Sequence, residues 1–169
     1  MTEPTVTEYT NENVDLVSPK SFDQTVRDLR AELGSASTET LMERLSSSAT
    51  WSEYEIECGE IAGPSNLIEV AHLNWGGVLS LAGVPMKARC FVIGNPMTAR
   101  KLIEAGGPSV GLYLPTKMLV FEDADGAVHV NYDRFGPVMA RRGLPALDAV
   151  AAVIDGVLAR LAGAAVAPA

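Results

Sequence analysis

Residues 91–96 read FVIGNP, residues 111–123 read GLYLPTKMLVFED, and residues 126–132 read GAVHVNY. These three runs decide the fold. In the first, an apolar strand over residues 90–93 stops at Gly94-Asn95-Pro96, where Asn95 can accept hydrogen bonds from the first amides of a helix and Pro96 is preset for its first turn. A strand-to-helix junction follows. In the second, Leu114-Pro115 breaks regular structure ahead of residues 117–122, an apolar run that predicts a strand buried on both faces. Asp125-Gly126 tolerates positive φ, so the chain turns tightly and returns through residues 128–132 as a hairpin.

Together these runs resemble the core signature of the DUF302 family, also called TT1751-like. The resemblance implies an α+β domain with a mostly antiparallel sheet of about five strands, helices packed on one side, and a homodimer. It extends to the short helix expected over residues 137–142, fades upstream of about Leu67, and carries no agreed biochemical activity. Relative to the family pattern, residues 35–66 look like an enlargement that can reshape a ligand site.

With 169 residues, 47% of them hydrophobic, the chain suits one domain with a core that needs no disulfide or metal staple. Cys58 and Cys90 make no framework. A net charge of -8 argues against a nucleic-acid partner, because phosphate binding needs a concentrated basic surface. No leader pattern and no apolar run of about 20 residues stands out, so the expectation is a cytoplasmic protein with no membrane partner. Abundant Ala and Val, with Arg in excess of Lys, point to a high-GC bacterial source.

Residues 1–20 are polar and acidic without apolar periodicity and predict a disordered tail. The domain is expected over residues 21–162, with a short tail at 163–169. Ser21 and Gln24 form a capping-box pattern ahead of Phe22, Val26, Leu29 and Leu33, which recur at helical spacing until Gly34. A second helix is expected over residues 38–45. Tyr54, Ile56 and Cys58 alternate with Glu53, Glu55 and Glu57, the pattern of a half-buried strand. Residues 63–66 turn it, and residues 67–73 return as its antiparallel partner with Ile68, Val70 and His72 on one face. Asn74 caps a short helix beginning at Trp75. After Pro145, Leu147, Val150, Ile154, Val157, Leu158 and Leu161 form the apolar stripe of a last helix, which serves the core or a dimer interface.

The candidate chemical residues follow from this layout. His72 lies near a strand end, where the resembling family often carries a histidine; it is either a satisfied structural histidine or a ligand-binding or acid-base group. Lys117, at the place of the family's basic residue after Leu-Pro, sits in an apolar strand and needs a carboxylate or an anionic ligand beside it. Asn95 is an N-cap or part of an anion-binding helix start. The Tyr132 hydroxyl either packs in the core or reaches a ligand. Trp75 and Arg89 complete the candidate ligand-binding set. His129 reads as a solvated-face residue. The two histidines and two cysteines lack metal-finger spacing, Gly106, Gly107 and Gly111 make no dinucleotide fingerprint, and Cys90 reads as a small core residue.

Three function classes remain. The first is a dimer binding a small organic molecule, neutral or anionic, where His72, Asn95, Lys117 and Tyr132 converge. The second is a cofactor-independent acid-base isomerase, cyclase or lyase using the same pocket. A haem-binding variant of the first class, with His72 as axial ligand, is also open, because a lone histidine in an apolar setting suffices for that role, and a purely structural or interaction protein without a convergent polar pocket is the third. The shared pocket of the first two depends on His72 and Lys117 pointing to the same face of the sheet.

Overall fold

Six strands form one sheet in the order β1-β6-β5-β4-β3-β2. They are β1 (Asn13–Ser18), β2 (Leu33–Ser35), β3 (Leu67–Leu73), β4 (Ala88–Gly94), β5 (Thr116–Glu122) and β6 (Val128–Asp133). The computed structural model describes residues 3–168; tail positions expected at 1, 2 and 169 lie outside the described residues. β2 pairs parallel with β3 and every other pair is antiparallel, so the protein is α+β with a mixed sheet dominated by antiparallel ladders. The helices are α1 (Phe22–Ala31), α2 (Thr38–Ser47), α3 (Trp51–Ile61), α4 (Trp75–Ser80), α5 (Pro96–Gly106), α6 (Gly136–Ala140) and α7 (Pro145–Val166), with a 3-10 turn over Pro108–Tyr113.

The hairpin and junction signals hold. Gly126 takes φ +84°, and the Asp123 carboxylate accepts from the Asp125 and Ala127 amides inside the β5–β6 turn. Asn95 caps α5 through the Met97 amide, and Asn74 caps α4 through the Gly77 amide.

The main core lies between one face of the sheet and helices α1 and α7. Phe91, Met118, Val120 and Val130 meet Leu29, Leu147, Leu158 and Leu161 there, all essentially without solvent contact. α7 is long and apolar enough to cross a membrane, with 22 residues and an 18-residue stretch of mean hydropathy 1.8, which corrects the expectation that no such run exists. Its buried stripe, Leu147, Ala151, Ile154, Leu158, Leu161 and Ala165, is spent on the core of this domain. A second cluster of Leu41, Tyr54, Cys58 and Ile68 joins α2 and α3 to β3. Ile68 and Glu69 are neighbours in a strand, so this hairpin approaches β3 from the side opposite α1, which Glu69 faces.

Five further expectations are corrected. Residues 13–18 are not tail: they form β1, which pairs with β6 from Asn13↔Asp133 to Ser18↔Val128 and places Val14 and Leu16 against the core. The expected strand over residues 53–58 is helix α3. Tyr54 and Cys58 are two steps apart in a period of two and also four residues apart on a helix, and only the exposed Ile56 separates the readings. Thr50 and Glu53 form a complete capping box that starts the helix. β3 therefore pairs with β4 and β2 instead of with residues 53–58. β5 is buried on the Met118 and Val120 face only, and α7 continues to Val166 through the expected tail.

Gly34 in β2 passes so close to α3 that a Cβ there would lie 1.7 Å from the Ile61 carbonyl oxygen and 2.8 Å from the Gly63 nitrogen. Backbone cannot yield as a side chain can. Gly34→Ala is expected to cost about 2 kcal/mol or more in urea unfolding, whereas Gly59→Ala, with open space around it, should be neutral or stabilising. Equal effects at the two positions would show that the close approach is not rigid.

Candidate functional site

At the end of the sheet where β3 starts, β4 ends and β5 begins, the two hydrophobic clusters do not meet. The gap is a cavity of about 340 Å3. Leu41 and Tyr54 wall it from the α2–α3 side, Ile154, Val157 and Leu158 from α7, and Leu67, Val70 and Ile93 from the sheet. Among the described residues, none of the side chains lining it is charged. Its polar lining residues are Ser65, Asn66, Asn95, Thr98 and Thr116, of which Asn95 bonds Asn66 and Ser65 Oγ donates to the Glu32 carbonyl. Tyr54 is the titratable group with the best access to it, and burial, helped by the Cys58 thiol, pushes its pKa up to about 12. Its hydroxyl keeps its proton at neutral pH.

The sequence-predicted residues are distributed around this cavity instead of converging in it. Asn95 is at its edge, but its side chain is fully used, accepting from the Met97 amide at 2.8 Å and donating to the Asn66 carbonyl at 2.8 Å. Tyr132 is buried in the main core, where burial and the nearby Asp155 carboxylate push its pKa up. His72 pairs with Phe91 across the β3–β4 ladder, while Lys117 pairs with Val92 across β4–β5. Phe91 and Val92 are adjacent in one strand, so His72 and Lys117 point to opposite faces of the sheet. The shared His72–Lys117 site expected from the sequence does not exist. Lys117 is exposed, and water solvates the charge that was expected to need a partner. Trp75 opens α4 with a half-exposed ring, and Arg89 lies beside Val120 on β4–β5; neither lines the cavity.

A β-bulge explains where His72 went. The β3–β4 register slips between Glu69 and Ala71, leaving Val70 as an extra residue. Ile68, Val70 and His72 therefore do not share a face as strict alternation would require. Glu69 and His72 do, and Arg30 of α1 joins them: its Nε and Nη2 donate to the two Glu69 oxygens at 2.9 and 2.8 Å. His72 Nδ1 lies 2.9 Å from Glu69 Oε1. The His72 side chain is 43% exposed beside two charged groups, so the apolar setting on which haem ligation rested is not its setting. Both thiols are pushed up by burial, Cys90 in spite of the nearby Lys117 cation, which removes Cys90 as an activated thiolate.

A family model described as a domain of unknown function, DUF302, matches residues 45–161. The chain belongs to the DUF302 family. The match reaches upstream of Leu67, into the part that the sequence signature left outside, and takes in α3. Among solved structures, an uncharacterized conserved DUF302 protein from Bacillus stearothermophilus has a similar fold, with a TM-score of 0.63 at 16% identity over 90% of this chain and 97% of that one. A search of the curated proteins found no match.

Two polar clusters in this DUF302 chain escaped sequence reading because their partners are far apart in the chain. Asp155 of α7 is buried and accepts from the Phe135 and Gly136 amides at 2.6 and 3.0 Å, capping α6 from another helix. His129, on the face of the sheet away from α7, stacks on Phe121 and bridges two carboxylates, Asp15 of β1 at 2.7 Å and Asp123 of the β5–β6 turn at 3.2 Å. The hydrogen bond to Asp15, ahead of that to Asp123, raises its pKa above the ordinary 6.5. A raised folded-state pKa means that the stabilisation is full below about 6.5 and is lost as pH rises through the folded value. Asp123 is held low, chiefly by the Ala127 amide, so its own contribution is lost only in acid. The stability gap between the natural protein and His129→Gln is therefore expected to be larger at about pH 5.5 than at about pH 8.5, measured by urea midpoints. A gap that is constant, or that grows with pH, would show that the bridge carries no charge.

Proposed function

We propose that this protein holds a small, neutral, largely apolar organic molecule in the cavity between its two hydrophobic clusters, and that it does so as a homodimer. The observation that carries the reading is the lining: about 340 Å3 bordered mostly by Leu, Val, Ile, Tyr and Phe side chains, with a few neutral polar residues and no charged side chain among them. That volume is within the range of about 300–1,000 Å3 usual for small-molecule sites, and a few neutral polar groups in an apolar lining can orient a ligand without charging it. An anion has no counter-charge in this cavity. Acid-base turnover inside it is disfavoured for the same reason, since Tyr54 holds its proton and His72 lies outside the lining.

Dimerisation rests on a different surface from the one the sequence suggested, because α7 spends its apolar stripe on the core. Leu73, Trp75, Val78, Leu81, Val84 and Met86, on α4 and its flanks, are all at least 43% exposed, and Leu81 is 91% exposed. A contiguous run of that kind is unusual on a lone domain. Light scattering at micromolar concentration is expected to give twice the 17.9 kDa chain mass, and Leu81→Glu to return it to 17.9 kDa. A single-chain mass for the natural protein would end the dimer reading.

The ligand reading is tested with the neutral dye Nile red. The natural protein is expected to bind it with a blue-shifted emission, and Val157→Trp, which fills the cavity from α7, to weaken binding at least about tenfold, roughly 1.4 kcal/mol. Ala99→Phe fills the same space from α5 and guards against a folding defect in the first variant. Dye affinity unchanged in both folded variants would rule the cavity out.

A further inference from the structure

β2 is three residues long, so beyond Glu69 the outer edge of β3 has no neighbouring strand. Past this point the chain leaves through Ala36 and Ser37 into α2. The result is a cleft floored by β3 from Glu69 to His72, walled by Arg30 on one side and by Gly34, Ser35 and Ser37 on the other. It is a separate recess from the apolar cavity. Of the residues named for either, only Val70, the bulge residue, borders both.

The hydrogen bonds in the cleft fix what is left free. Glu69 is buried to a tenth of its exposure and holds Arg30 by a two-point fork. Arg30 Nη2 also lies 3.1 Å from His72 Nδ1, but a guanidinium only donates. If Nδ1 were bare it would present a lone pair to the Glu69 carboxylate at 2.9 Å; carrying its proton, it donates to Oε1 instead. Nδ1 thus faces an acceptor at 2.9 Å and a donor at 3.1 Å, and the shorter contact, to a carboxylate, favours the Nδ1–H tautomer, in which the Arg30 and His72 nitrogens left over are Nη1 and Nε2. Phe91 lies beside both side chains, its ring centroid 5.3 Å from Arg30 Cζ and 6.4 Å from the His72 ring centroid. The first turn of α2 offers no competing site, since Ser37 already caps the Thr40 amide.

We infer that this cleft binds a small oxyanion of carboxylate or phosphate type, gripped by Arg30 through Nη1 and by His72 through Nε2, with Glu69 as the positioning residue that orients both. The charges facing the His72 ring are Arg30 from α1 and Glu69 from its own strand; Phe91 from β4 and the serines of the 34–37 wall are neutral. Arg30 and Glu69 cancel. Net attraction therefore comes from His72, which takes up a proton at Nε2 as the anion arrives and becomes a second donor to it. This is a binding site of opposite character to the apolar cavity, and it does not depend on the reading of that cavity.

The test uses the full chain with inorganic phosphate and benzoate as probes and benzamide as the neutral control. Nitrogen-15 signals of the imidazoles, assigned with His72→Gln and His129→Gln, follow each titration. Either anion is expected to raise the His72 midpoint while leaving that of His129 in place, and benzamide to do neither. His72→Gln and Arg30→Lys, which keeps the charge but loses the fork, should each weaken anion binding at least tenfold. Glu69→Gln should shift His72 toward the Nε2–H tautomer, a change that a purely structural carboxylate would not produce. An unmoved His72 midpoint with both anions, or binding that survives His72→Gln, would overturn the site and leave adventitious surface binding only. Nile red affinity measured in the same variants reports on the apolar cavity alone, so the two ideas fail separately.

Discussion

One extra residue in β3 governs the arrangement of everything polar at that end of the molecule. In a regular strand, positions three apart point to opposite faces. The bulge at Val70 cancels one alternation, so Glu69 and His72 face the same way and both meet the Arg30 that α1 delivers. Before the slip, Ile68 can turn into the α2–α3 cluster and Leu67 into the main core. After it, His72 shares the Phe91 face. Without the slip, the buried Glu69 would lose a partner and His72 would lie on the same side as Lys117.

The domain has two hydrophobic clusters because the sheet is approached from two directions. α1 and α7 cover one face with large side chains, while the α2–α3 hairpin reaches only the first residues of β3. Two such bodies share no residue, and their facing surfaces leave room at the end of the sheet. Asp155 reinforces the larger one, since a buried carboxylate with two amides and the Arg134 guanidinium holds α6 against α7 at the cavity wall that Phe135 forms. Removing such a carboxylate would strand two amide donors, which makes this contact more costly to lose than an exposed ion pair.

How much of this could be read from residues alone depended on range. The Asn95 and Asn74 caps, the Asp125-Gly126 turn, β4, β5, β6 and the start of α7 were legible, because each is set by a few adjacent residues. α3 was misread where periods of two and four coincide at Tyr54 and Cys58, although the Thr50–Glu53 box was there to arbitrate. β1 was missed although Val14 and Leu16 alternate with Asn13 and Asp15, because the stretch is short, follows a long polar run and pairs with a strand more than a hundred residues later. The candidate site failed in a similar way. His72, Asn95, Lys117 and Tyr132 were assigned to a single pocket from their places near strand ends, but a facing direction is decided by register. Nothing local in the sequence announced the slip at Val70. Arg30 carried no signal of its own as one charge among several on α1.

The pairing of β1 with β6 also says something about the order of events as the chain folds. Asn13 must find Asp133, so closing this ladder encloses nearly the whole domain in one loop, whereas β4, β5 and β6 are joined by near neighbours in sequence. Long closures are entropically dear and are deferred until the interior ladders have reduced the search. On a ribosome the first strand emerges long before its partner exists. Asn13 and Asp15, on its outward face beside the exposed Val17, favour its solvation while it waits, and the same residues later become the carboxamide and carboxylate that hydrogen-bond Asn131 and His129.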